Sequence, residues 1–203
     1  MQINYLYNTQ SVIFDSIKYV TCNQDTISFS TLEYIISNIK LYSKGKVFLY
    51  KHSFYLNPKM KLNSFLIDSV LVMTYDSMSL SIGDNHPYNA LDININNMIW
   101  PSMMGGGFHF LKLEGYYKKS CPITGYTMHS GGNPMLPIYY TSKLSMNIQN
   151  NNHVLTLNHS IDKWISGATC YKISNYNYSM GVDSLMHKIN INGSKVLSSV
   201  KFE

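Results

Sequence analysis

The side chains best able to do chemistry in this chain are imidazoles, thioethers and an indole that lie between residues 97 and 134. The segment includes Trp100, His109 and His129. Methionines lie within and beside it: Met98, Met103, Met104, Met128 and Met135. Thioethers bind copper(I), and imidazole binds copper in either oxidation state. The combination indicates a copper site, although core packing is the ordinary role of any single methionine or tryptophan.

Two histidines in turn-like sequence are the stronger ligand candidates. His86 lies in the polar turn of residues 83–87, and His129 directly precedes Ser130-Gly131-Gly132. Ligands of copper and zinc are often distant in sequence and close in space, so these two imidazoles could share one ion with a third group. The spacing alone does not establish such a site.

His109 is a further candidate, placed in a run of alternating residues. It lies between Phe108 and Phe110, and successive side chains of a strand point to opposite faces. The pattern therefore predicts that the imidazole faces away from the two phenyl rings. The remaining histidines are typical of strand surfaces and turns: His52, His153, His159 and His187.

Other reaction types lack the residue patterns that they need. No GxSxG nucleophile motif occurs, and the glycine run of residues 105–107 is not followed by the Lys-Ser/Thr of a phosphate-binding loop. A glycan hydrolase would need two facing carboxylates, and Asp92 and Glu114 are as typical of turns and surfaces. We therefore expect a protein that is not an enzyme.

Composition and charge exclude a further class of function. The chain has 203 residues and a formal net charge of +5, and all of its basic residues are lysine. Bidentate contacts to guanine and phosphate favour arginine, and no basic cluster is present, so we expect no nucleic-acid partner. Seventeen tyrosines and a low charged fraction of 13% favour strands and turns over helices.

Turn residues divide the chain into short apolar runs, a spacing typical of a β-sandwich or barrel. The sequence predicts a central strand over residues 65–75, a strand from 108 to about 115, and a hairpin over 138–161. Residues 32–39 fit a helix or a strand equally well, and 183–193 predict a short helix. We expect an antiparallel β-sandwich with one or two short helices, in a single domain over residues 1–203.

The three cysteines leave the redox state open. Cys22, Cys121 and Cys170 form neither a CxxC pair nor a zinc-binding spacing, so one disulfide with one free thiol and three buried thiols are equal alternatives. No run is long and apolar enough to span a membrane, and no signal peptide is visible at Met1. The chain is then either cytoplasmic or the mature form of an exported protein.

Three stretches, in order, resemble the MbnP-like family of exported bacterial proteins. Residues 26–42 resemble the family's early strand pair. Residues 85–115 resemble its central signature, which has a Met-x-Trp followed by Gly-aromatic-x-Phe-x-Lys-x-Glu-Gly. Residues 128–132, MHSGG, resemble its histidine turn, and residues 161–164 and 191–196 resemble its closing section.

The resemblance implies an exported β-sandwich that is associated with copper, located in the periplasm or at the cell surface. It implies His86 and His129 as imidazole ligands and Trp100 as a third, since some members oxidise a tryptophan to a kynurenine that joins two histidines on one copper ion. It also implies a di-haem peroxidase-like partner. The family's Trp-x-His pattern follows neither Trp100 nor Trp164, and Ser102 stands where the family has a second tryptophan.

A second function remains open on the same fold. The tyrosine- and asparagine-rich composition suits a metal-free module that binds other surface proteins through hydrogen bonds and aromatic contacts. Because sandwich folds serve many functions, the distance between the candidate imidazoles must decide between the two hypotheses.

Overall fold

The computed structural model describes residues 1–84, 93–119, 122–133, 135–143, 145–150 and 153–203. Its strands are β1 Gln2–Tyr7, β2 Gln10–Ser11, β3 Tyr19–Val20, β4 Thr26–Ile27, β5 Thr31–Ser43, β6 Lys46–Tyr50, β7 Phe54–Leu56, β8 Thr74–Tyr75, β9 Ser77–Ile82, β10 His109–Lys118, β11 Thr124–Gly131, β12 Ile138–Ser142, β13 Met146–Asn147, β14 Leu155–Ser160 and β15 Leu197–Phe202. The α-helices are α1 Asp162–Ser166 and α2 Asp183–Gly193. Short 3-10 helices cover Pro58–Met60, Ile93–Met98 and Ser102–Met104.

The strands form two main sheets. The smaller has the order β15-β14-β1-β2, and the larger follows β12-β9-β5-β10-β4-β3, with β11 added on β10 and β6 and β7 added on β5. Strands β8 and β13 form a separate pair. All of these strand pairs in the described part of the chain are antiparallel except β1 with β14.

The core lies between the inner faces of the two sheets. Ile3 and Leu157 from the smaller sheet and Leu32 and Leu113 from the larger belong to one cluster of buried side chains. Trp164 of α1 completes this cluster at 0% exposure. Two sheets that share one apolar layer are a sandwich, so the predicted fold class is confirmed.

The long central strand β5 resolves one alternative that the sequence left open. Residues 32–39 are strand, and Ile35 and Ile36 are both fully buried on its opposite faces. Pairing with β9 shifts register between Ser37 and Lys40, where Asn38 has a φ of 51°. β-branched residues pack well in a strand that is covered on both faces, which explains the absence of simple alternation here.

Two predicted elements are wrong. Of residues 65–75, only Thr74 and Tyr75 are strand, and Leu66 is 76% exposed. The predicted hairpin over 138–161 does not form, since β13 pairs with β8 while β14 pairs with β1 and β15. Apolar alternation specifies which face of a strand is buried, but not which strand becomes its neighbour. The predicted strand near residues 108–115 and the helix over 183–193 are confirmed.

A disulfide joins two distant parts of the fold. Cys22 and Cys170 are bonded across a sequence separation of 148 residues. The structure therefore selects the disulfide from the two alternatives, while Cys121 lies outside the described residues. In the part of the chain that is described, no helix has the length and apolarity needed to cross a membrane.

Candidate metal centre

A bulge in the β10–β11 pair brings His109 and His129 onto one face of the larger sheet. Lys112 lies opposite His129, but the register shifts between residues 109 and 111, so that His109 lies opposite Gly131. Since Gly131 and His129 are two residues apart on β11, His109 becomes a diagonal neighbour of His129. A bulge inserts one extra residue into a strand, so the side chains beyond it point to the opposite face of the sheet. The bulge therefore places the His109 side chain on the same face as His129.

Two glycines after His129 make the close packing feasible. A Cβ at Gly131 would overlap the Phe108 carbonyl oxygen and lie 2.7 Å from the His109 Cα. A Cβ at Gly132 would lie 3.1 Å from Trp100 Nε1, and this residue also has a φ of 85°. Because Gly131 and Gly132 lack side chains, the bulged strand and the indole ring of Trp100 can pack directly against the backbone that follows His129.

Trp100 closes one side of this arrangement. It is 2% exposed, and its ring centroid lies 4.7 Å from that of His109. Its backbone N–H donates to the Gly107 carbonyl, and its indole Nε1–H donates to the Met104 carbonyl at 3.1 Å. The loop between residues 101 and 107 thus folds back and fixes the indole. As an unmodified indole, its nitrogen carries a hydrogen and has no free lone pair for a metal.

The two imidazoles are in direct contact and each has an unsatisfied nitrogen. The centroids of the His109 and His129 rings are 4.9 Å apart with an interplanar angle of 84°. The side chains are buried, at 4% and 8% exposure for the two residues. The Nδ1 atom of each ring is buried and has no hydrogen-bond partner among the residues that the structure describes. Buried polar atoms are nearly always paired, so two such atoms on rings in contact are an unusual feature of this site.

Glu114 contacts the other nitrogen of His129. Its Oε1 lies 2.8 Å from His129 Nε2. This hydrogen bond, opposed by burial, keeps the pKa of the Glu114 carboxyl below its usual value. The His129 backbone is held as well, because its N–H donates to Ser179 Oγ and its carbonyl accepts from the same hydroxyl.

Burial keeps His109 neutral. Loss of hydration lowers the pKa of His109 to about 3, and electrostatic interaction with the neighbouring His129 and Lys112 acts in the same direction. A neutral imidazole retains a lone pair, which is the form that binds metals. His109 is therefore available as a ligand throughout the physiological pH range.

A cluster of apolar side chains packs around Trp100, beside the two imidazoles. Phe110, Met135 and Met186 form a buried cluster with Trp100, and Met104 and Met180 pack against it. The other methionines singled out in the sequence lie elsewhere: Met98 and Met128 in other core clusters and Met103 on the surface at 91% exposure. Most of the methionine richness thus reflects packing, and only Met104 and Met135 of that set lie beside the indole.

Comparison with known proteins decides the family. A model of the MbnP family matches residues 1–197. The chain belongs to the MbnP family. MbnP from Methylosinus trichosporium is similar in structure, with 8% sequence identity and a TM-score of 0.49 over 84% of this chain and 78% of that one. No curated protein matches the sequence.

Within this MbnP-family fold, the predicted site residues have different outcomes. Trp100 and His129 lie in one cluster, joined through the ring of His109. His86 lies outside the described residues, so its predicted role stays a prediction. Among the described residues, no group of three or more His, Cys, Asp and Glu side chains is placed to hold a metal.

For His109, the sequence predicts the face of its strand but not its contact with His129. The alternation with Phe108 and Phe110 predicts a face away from the phenyl rings, but the bulge that turns this face toward His129 has no local sequence signature. The one available signal is the Gly131-Gly132 pair, which permits close approach of another strand. The expectation for His159 is wrong, since this residue is fully buried and not on a surface.

Proposed function

We propose that this protein binds a copper ion between His109 and His129 and serves in copper binding or handling, not as an enzyme. The observation that supports the proposal is the pair of buried Nδ1 atoms without partners on adjacent rings. Neutral imidazole is a common ligand of copper, and the methionines that pack with Trp100 add thioethers, which also bind copper, beside the site.

The ring separation fits a shared ion. A metal–nitrogen distance of about 2 Å, added to a ring radius of roughly 1 Å, places each centroid about 3 Å from the metal. Two imidazoles can therefore share one ion when their centroids are separated by up to about 6 Å. The His109 and His129 rings, 4.9 Å apart, satisfy this condition.

Trp100 and His86 complete the proposal. Copper would receive two imidazoles from the described residues, and His86 remains the candidate third ligand that the sequence predicts. Trp100 would form a wall of the site as an indole, and it could ligate the metal only after its ring is oxidised, as the family resemblance implies. Peptide mass spectrometry of natively expressed protein would detect such a modification at Trp100.

Export is part of the same proposal. The disulfide between Cys22 and Cys170 is a bond that persists in oxidising compartments such as the periplasm and the cell exterior. A di-haem peroxidase-like partner, implied by the family resemblance, would act in the same compartment. The protein itself would supply the copper site and no catalytic group.

Copper titration of purified protein tests the proposal. We expect one copper ion per chain in the wild type, measured by elemental analysis after dialysis. His109→Ala and His129→Ala should each reduce affinity by at least tenfold, because a single remaining imidazole holds copper weakly. His187→Ala, which removes an exposed histidine from α2, is the matched control and should bind like the wild type. Unchanged copper affinity in both site variants would refute the proposal.

An interaction module is the alternative function. The strand β6 pairs only with β5 within the described structure, and its Val47 and Leu49 are 55% and 46% exposed. Apolar side chains on such a strand favour contact with another protein. If the wild-type protein takes up no stoichiometric copper, this alternative becomes the better explanation.

A further inference from the structure

The contact between Glu114 and His129 bears on which nitrogen of His129 is free to bind a metal. Glu114 Oε1 and His129 Nε2 are 2.8 Å apart, whereas His129 Nδ1 has no partner in the described part of the chain. A carboxylate only accepts hydrogen bonds, so the proton between the two groups belongs to Nε2. A neutral ring with its proton on Nε2 carries its lone pair on Nδ1.

The other neutral tautomer of His129 is less favourable in this environment. Moving the ring proton to Nδ1 would bury an N–H without an acceptor and place a lone pair of Nε2 against the carboxylate. An unsatisfied buried donor destabilises a fold because its lost hydration is not replaced.

The surroundings hold this geometry in place. The backbone N–H and carbonyl of His129 both bond to the Ser179 hydroxyl, which fixes the main chain from which the ring projects. Glu114 lies on the neighbouring strand β10, opposite Thr127 and therefore diagonal to His129. Lys112 lies opposite His129, and its Nζ is 3.7 Å from Glu33 Oε2 and donates to the Asn97 carbonyl. The side chains of Glu33, Lys112 and Glu114 therefore lie on the same face of the sheet as His129.

We propose that Glu114 is a positioning residue that fixes His129 as the Nε2–H tautomer and so directs metal binding to Nδ1. The binding part of this inference rests on the proposed copper function. Carboxylates that accept a hydrogen bond from a ligating imidazole orient the ring and raise its basicity, and their loss typically reduces metal affinity by 10–100-fold. The same reduction is expected for Glu114→Ala.

The tautomer can be measured without any metal. Nitrogen-15 NMR of the imidazole rings in metal-free protein at pH 8 distinguishes protonation at Nε2 from protonation at Nδ1. We expect His129 in the wild type to be the Nε2–H form. Glu114→Ala should change the His129 signals toward a mixture of tautomers, while Glu33→Gln, on the adjacent strand β5, should leave them unchanged. A wild-type His129 that is protonated on Nδ1, singly or together with Nε2, would overturn the inference.

A second measurement tests the ligating nitrogen. Silver(I) is a diamagnetic probe for copper(I), so its addition should change the His129 Nδ1 signal and leave the Nε2–H proton in place. Loss of the Nε2 proton on silver binding would overturn the inference even if the metal is bound. Absence of both silver and copper binding, with the Nε2–H tautomer intact, would instead refute the proposed copper function.

Glu114→Ala should weaken copper affinity by 10–100-fold, and an unchanged affinity would contradict the positioning role.

Discussion

At the scale of single residues, buried imidazoles in this protein have two different environments. His109 and His129 lie on the outer face of the larger sheet beside an indole and methionines. His159 lies between the sheets, where its Nε2 accepts a 2.7 Å hydrogen bond from Trp164 and its ring meets Tyr34 edge-on. Each of the three imidazoles has a buried Nδ1 without a partner among the described residues, but only His109 and His129 bring two such rings into contact.

His159 should make stability depend on pH. Burial lowers its pKa to about 3, from an ordinary value of 6.5 for a solvated imidazole. Below pH 6.5 the unfolded chain therefore binds a proton that the folded chain does not. The contribution of His159 is fully present above this pH and is lost as the pH falls toward 3, at up to about 1.4 kcal/mol per pH unit.

Urea unfolding of the wild type and His159→Gln between pH 4 and pH 8 tests this dependence. Glutamine can still accept from Trp164 but does not titrate, so the variant should lose about 1.4 kcal/mol less per pH unit than the wild type below pH 6. The exposed His187, changed to glutamine, is the control and should preserve the wild-type slope. Equal slopes for the wild type and His159→Gln would contradict the prediction.

The residue scale also shows how far sequence alone can reach. His129 and Trp100 can be identified because imidazole beside Gly-Gly and a Met-x-Trp are visible in the chain itself. The contact between the His109 and His129 rings is not predictable, because it depends on a register shift between two paired strands. The Glu114–His129 contact is equally hidden, since two residues 15 apart meet only once β10 and β11 are paired.

At the scale of elements, the β10–β11 pair is both a structural unit and the frame of the site. Alternating apolar residues make β10 predictable, and its inner face carries Leu111 and Leu113 into the core as that pattern requires. Its outer face carries Lys112 and Glu114. The strand order is not predictable, as the failed hairpin over 138–161 shows, because neighbours in a sheet are chosen by the packing of the whole chain.

Gly131→Ala should disrupt this element and the site together. Gly131 has a φ of 148°, and a methyl group there would overlap the backbone of Phe108 and His109. The strands would have to separate at the bulge, at an expected loss of about 1–3 kcal/mol in the free energy of unfolding. Copper affinity should fall as well, because His109 would move away from His129.

Chemical denaturation and copper titration of the folded variant measure the two effects. Gly125→Ala is the matched control on the same strand, since a Cβ there would have its nearest neighbour at 3.9 Å. It should change both quantities little. A Gly131→Ala protein with wild-type stability and wild-type copper affinity would show that the bulge does not depend on glycine.

At the scale of the whole molecule, the disulfide ties the beginning of the sandwich to the helical segment near its end. Cys22 lies between β3 and β4, and Cys170 lies between α1 and α2. The bond therefore links the edge of the larger sheet to the connection that carries Ser179 toward His129. The composition predicts a β fold, but it cannot predict the pairing of two cysteines that are 148 residues apart.

Removal of the disulfide should lower global stability while sparing the metal site. The Cys22→Ser/Cys170→Ser variant lacks the cross-link, so its unfolded chain has a higher conformational entropy. The free energy of unfolding should therefore fall by about 2–5 kcal/mol. Copper affinity of the folded fraction should stay within about threefold of the wild type, because neither sulfur belongs to the His109–His129 cluster. Urea unfolding gives the first quantity and copper titration below the unfolding transition gives the second. A large loss of copper affinity without a loss of stability would show instead that the disulfide positions the segment behind His129, and the metal centre would then depend on the oxidation state of the protein.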